Sequence, residues 1–155
     1  MRLIWKIGRW LLLIGVVVFV IAQFIRPAKT NPAIDQSLAL ESHLQVDSKV
    51  AAILDRSCAD CHSNKTRWPW YSNVAPVSWF VIDHVNEGRG NLNFSEWGTY
   101  DKEQQRDLLR DICGEVKRGM MPLSSYTPLH PGSKLSGEDV TTICEWATQV
   151  GARLH

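Results

Sequence analysis

The feature that most constrains this chain is its first 25 residues. Trp10 to Ala22 is an unbroken apolar run, and Phe24 and Ile25 extend it past Gln23. A helix with no polar face cannot sit on the surface of a soluble domain. Leu3, Ile4, Trp5, Ile7 and Gly8 lengthen the run toward the 20 or so residues that a membrane span needs. Lys6 and Arg9 can snorkel to headgroups, and Trp5 and Trp10 suit the interface. Two readings fit this pattern: an uncleaved anchor, or a signal peptide cleaved after Val20-Ile21-Ala22. The apolar character that continues to Ile25 favours the anchor. Both readings export the rest of the chain. Both also divide it into a membrane segment at 1–25, a linker at 26–46 and a folded domain at 47–155.

Charge divides the chain in the same way. The 155 residues carry 17 Lys and Arg against 16 Asp and Glu. Arg2, Lys6, Arg9, Arg26 and Lys29 fall in residues 1–29, where there is no acid. The remainder has twelve bases against sixteen acids, a net charge of −4. Three bases precede the apolar run and two follow it, so the folded domain is expected on the periplasmic side of a bacterial inner membrane, as a single-pass protein. A formal net charge of +1 for the whole chain does not fit a nucleic-acid binder, which normally carries a basic excess, and the folded domain is acidic. That domain fits basic redox partners, which its field would steer at low salt.

Residues 26–46 read as linker because Pro27 and Pro32 stand among polar residues without a period. Four helices are expected beyond it. The first starts at the N-cap Asp47, with Val50, Ile53, Leu54 and Cys58 at helical spacing. The second runs from Pro76 to Gly88. The third starts at Asp101, with Gln104 as capping-box partner and Gly119 as its stop. The fourth starts at Ser136, with Leu135 and Val140 as a staple, and ends at Gly151. No segment alternates as a strand does. The expected fold is all-α: a small helical domain behind an N-terminal transmembrane or signal-anchor helix.

Within that domain, Cys58-Ala-Asp-Cys61-His62 carries the chemistry. C-x-x-C-H reads as a c-type haem attachment site. Two thiols at this spacing can form thioethers to the two vinyl groups of one porphyrin, and His62 then offers a nitrogen to the iron. Zinc would need further Cys or His at ligand spacing. A thioredoxin-like dithiol would need βαβ context. A short-range disulfide is awkward within a helix. The second axial ligand is expected at Met121, in the Met120-Met121-Pro122 loop, since His/Met ligation raises the potential. Met120, His84 and His130 remain alternatives. Trp68, Trp70, Tyr71, Trp79, Phe94 and Trp97 read as core or pocket wall, and Arg67 and Arg89 as partners for propionates. Cys113 and Cys144 lie on apolar helix faces, either as a disulfide between the last two helices or as buried thiols.

The residues also carry a family resemblance. CHSNKTRWPWYSNVAPVSWFVIDHVNEGRGNLNFSEW from Cys61 to Trp97, then GMMPLSSYTPLHP and LSGEDV, resemble the bacterial haem-binding domain family of cytochrome c-like proteins. The likeness covers about residues 40–150. It implies a cytochrome c-like fold, one covalent haem c on Cys58 and Cys61, and His62 as proximal ligand. It aligns Met121 with the family's Met-Pro-Leu and implies an N-terminal anchor in many members. The function expected is single-electron transfer between redox partner proteins at the membrane. The alternative is a haem-based sensor or ligand-binding module with a labile sixth position. An enzyme would need an open iron site with acid–base groups beside it, and a structural subunit of a larger complex would leave no separate mark in the sequence.

Overall fold

The structure, a computed structural model, describes residues 2–154. Among them there are helices and no strand: α1 (Arg2–Ala22), α2 (Leu40–His43), α3 (Ser48–Ser57), α4 (Ala59–His62), α5 (Val77–Asn91), α6 (Lys102–Lys117) and α7 (Gly137–Gly151). Short 3-10 turns join them. The all-α expectation holds, and α1 is long and apolar enough to cross a membrane.

The chain forms two units. The first comprises residues 1–30 and 68–84, and the second residues 31–67 and 85–155. The first unit contains α1, none of whose described residues is buried. Its other part, Trp68 to His84, includes a 3-10 turn at Trp70–Asn73 and the start of α5.

The second unit holds the core. Val50, Ile53 and Leu54 of α3, Leu109, Ile112 and Val116 of α6, and Ile143, Trp146 and Val150 of α7 pack with Phe94 and Trp97. The caps are those the sequence predicts. The Asp47 carboxylate accepts from the amides of Lys49 and Val50. Asp101 and Gln104 form a capping box on α6. Ser136 caps α7, and Asp139 completes a second box there. Gly119 follows α6 with φ of 67°, a left-handed turn that favours glycine. Cys113 and Cys144 form a disulfide between α6 and α7, with Cα atoms 4.8 Å apart.

Two elements differ from expectation. The stretch read as linker contains α2, and Ala39, Leu40 and Leu44 are buried. One helical turn shows no period, so the sequence hid it. Helix α5 does not stop at Gly88 but runs to Asn91. Gly88 is a close-approach residue instead.

Candidate functional site

The Cys58–His62 segment is built by a break in the helix. Cys58 has φ of −127° and ψ of −39°, which ends α3 and starts the single turn of α4. Asp60, within that turn, is buried. Its carboxylate accepts from the Arg67 amide at 3.1 Å and Nε at 2.9 Å, and from the Tyr126 hydroxyl at 2.7 Å. Arg67 also donates to Asp55 Oδ2 at 3.0 Å. Arg89 donates to the Ser63 carbonyl, Asn31 Oδ1 and Thr66 Oγ1 at 2.8–2.9 Å. These contacts engage both of the guanidinium groups that the sequence offers as partners for propionates. Both guanidinium groups bind protein groups around the motif, where buried carbonyls and a carboxylate require donors.

His62 is held from one side. Its Nδ1 lies 3.0 Å from the Gly88 carbonyl and 3.1 Å from that of Leu92. Carbonyl oxygens only accept, so Nδ1 carries the proton and Nε2 keeps its lone pair. Burial holds the imidazole below its ordinary pKa, against the pull of those two bonds. Neutral His62 is therefore a ligand-ready base at physiological pH. Burial likewise pushes the Cys58 thiol up to about 12 and the Cys61 thiol up to about 11.

A cleft of about 500 Å³ opens beside these residues. Ser57, Cys58, His62, Phe94, Ile112 and Met121 are among its lining residues. That volume is in the range of cofactor sites. The mainly apolar wall, a thiol, a nitrogen base with a free lone pair and a thioether sulfur together fit a haem. Asp111 and Glu115 of α6 bring acidic groups to the same cleft.

The chain matches a known family over this ground. The model of the family described as haem-binding domain matches residues 17–149. The chain belongs to that haem-binding family. No curated protein and no solved structure matches it.

The expected ligands are placed unevenly around the cleft. Cys58, His62 and Met121 line one cleft, whereas Cys61 lies against Gly88. Met120 is exposed and does not line the cleft. His130 stacks on Tyr126 with ring centroids 3.7 Å apart, and its Nδ1 meets the Tyr126 carbonyl at 2.9 Å. His84 Nδ1 lies 2.6 Å from the Phe80 carbonyl, a bond within α5. Phe94 is the aromatic residue on the cleft wall, and Trp97 is sealed in the core. Trp68, Trp70, Tyr71 and Trp79 belong to the other unit.

Sequence reasoning missed three residues that support the candidate site. Asp60 and Tyr126 brace the motif from positions far apart in the chain, and no local signal announces that pairing. Gly88 did leave a sign. A glycine inside a helical pattern costs about 0.5–1 kcal/mol relative to Ala, so it needs a reason such as close backbone approach.

Proposed function

We propose that this haem-binding protein is a membrane-anchored, periplasm-facing monohaem c-type cytochrome that carries single electrons. Cys58 and Cys61 would hold the haem through thioethers, and His62 and Met121 would be its axial ligands. The observation that carries the reading is His62: its Nδ1 proton is engaged by two carbonyls, leaving Nε2 available in a cleft that Met121 also lines. Haem iron in such a setting supplies a one-electron ferric–ferrous couple.

The chain's own residues would keep that couple in place. The Gly88 and Leu92 carbonyls orient His62 and raise its basicity as a ligand. Phe94, Ile112 and Val116 would give the haem an apolar wall. If His62 and Met121 both held the iron, no position on it would remain for a substrate, which would favour a carrier over a catalyst. The Cys113–Cys144 disulfide supports an oxidising compartment. Helix α1, with Arg2, Lys6 and Arg9 before its apolar run, supports an inner-membrane anchor that leaves the domain outside. Asp111 and Glu115 beside the cleft favour basic redox partners.

The test uses the full chain made in an export-competent host with haem maturation. Haem staining that survives a denaturing gel is expected, in the membrane fraction. The reduced protein should resist carbon monoxide. Loss of the stain on denaturation would overturn covalent attachment. Ready carbon monoxide binding would replace the carrier by the sensor or ligand-binding alternative.

A further inference from the structure

We infer that the stretch from Trp70 to Phe80 is a second membrane contact, seated in the headgroup layer where α1 leaves the bilayer. The inference rests on the anchor reading and adds a docking surface to it.

The depth argument comes from length. Helix α1 has 21 residues. At 1.5 Å per residue it spans roughly 31 Å, close to the hydrocarbon thickness of a bilayer. Gln23 therefore stands at the hydrocarbon boundary. Its side-chain amide is fully engaged there: Nε2 donates to the Phe19 and Ala75 carbonyls at 3.0 and 3.1 Å, and Oε1 accepts from the Ala75 amide at 3.0 Å. A polar group satisfied in this way tolerates a low-dielectric boundary. The Trp79 indole donates to the Ile25 carbonyl at 2.8 Å. The Lys29 ammonium donates to Asn73 Oδ1. Residues 73–79 are thus tied at three places to residues 23–29, and their depth follows that of the helix end.

What the tied stretch presents suits that depth. Trp70 is 77% exposed, Phe80 65% and Val77 44%, and at the helix end Phe24 is 82% and Ile25 58% exposed. No charged residue occurs from Trp68 to Val81. Large exposed apolar side chains on a stretch without charge mark an interaction surface. Tryptophan is enriched at the membrane interface, and Arg26 and Lys29 stand beside it at the level of lipid phosphates. The occupant that these features favour is the lipid interface, because the same few residues continue the surface of the membrane helix itself.

The test is photolabelling from the lipid side. Full-length holoprotein is reconstituted into phosphatidylcholine vesicles that carry a diazirine on the acyl chain near the glycerol. After irradiation, labelled peptides are mapped by mass spectrometry. Label is expected in α1 and also in residues 70–80. In the Trp70→Gln/Phe80→Gln variant the label on 70–80 should be lost while that on α1 persists. Label on α1 with none on 70–80 would overturn the inference, leave the anchor standing and point to a protein partner for the patch. Undiminished label in the double variant would overturn the assignment to these side chains. Protein left in the aqueous fraction with no label on α1 would remove the anchor reading and this inference together.

Discussion

A Cβ built on Gly88 would stand 2.6 Å from the carbonyl oxygen of Cys61, so α5 and α4 touch backbone to backbone at this point. The same Gly88 supplies a carbonyl to His62 Nδ1. Replacing Gly88 with Ala gains about 0.5–1 kcal/mol of helix propensity. Overpacking against a rigid backbone costs about 1–3 kcal/mol. The clash wins, so Gly88→Ala should lower the denaturation midpoint of the holoprotein. Gly90 in the same helix has nothing within 4 Å of its would-be Cβ. Gly90→Ala should leave the midpoint unchanged or raise it. Equal behaviour of the two variants would show that α4 and α5 separate without cost.

The buried Asp60 carboxylate depends on Tyr126 as well as on Arg67. Burial, then the Asp60 hydrogen bond, raise the Tyr126 hydroxyl well above its ordinary pKa, so it remains a donor throughout the usable range. Tyr126→Phe keeps the ring that stacks on His130 and deletes only the donor. Leaving a buried acceptor short of a partner costs about 1–3 kcal/mol. Urea denaturation of the holoprotein should show that loss. A midpoint equal to wild type would mean that water replaces the hydroxyl.

What the sequence disclosed and what it hid obey one physical division. The caps at Asp47, Asp101 and Ser136 act within three residues of themselves, so local pattern suffices to find them. The C-x-x-C-H run is equally local. Leu40 and Leu44 are buried through contacts that one helical turn does not advertise. Arg67 and Arg89 gave no local sign of their protein partners, because Asp60 and Ser63 among them become neighbours only when the chain folds. Cys113 and Cys144 were ambiguous for the same reason, since spacing along two helices does not fix the distance between them.

That disulfide should carry measurable stability. It closes a loop between positions separated by 31 residues. The chain-entropy account puts such a link at about 2–4 kcal/mol. A Cys113→Ala/Cys144→Ala variant should lose that amount in chemical denaturation while keeping its haem stain. Loss of the stain as well would mean that these cysteines influence haem attachment.

Helix α7 should loosen in acid. Asp139 accepts from the Ser136 amide and hydroxyl, both at 2.8 Å, and pairs with Arg56 at 2.7 Å. The Ser136 amide bond, foremost, holds the Asp139 carboxyl below its ordinary value of 3.8. A carboxyl depressed in the folded state contributes stability above its unfolded pKa. That contribution is lost as pH falls through the folded value. Asp139→Asn should therefore be less stable than wild type near neutral pH, and the gap should shrink below pH 3.8. A gap that is constant with pH would remove the charge on Asp139 as its source.

Neighbouring methionines give the sharpest test of the sixth ligand. Met121 lines the cleft with His62, whereas Met120 is 60% exposed outside it. A thioether ligand stabilises ferrous iron, so its loss should lower the reduction potential. Met121→Ala should do so, and should let carbon monoxide bind the reduced protein. Met120→Ala should change neither property. Since the two residues share one loop and differ mainly in facing the cleft, a general loosening of that loop would affect both variants alike. Ligation by Met121 predicts both a lower potential and carbon monoxide binding in that variant alone. If Met120→Ala reproduced the drop in potential and Met121→Ala did not, the ligand would be the neighbour. If neither moved the potential, the cleft would hold haem with its sixth position open, as a sensor requires.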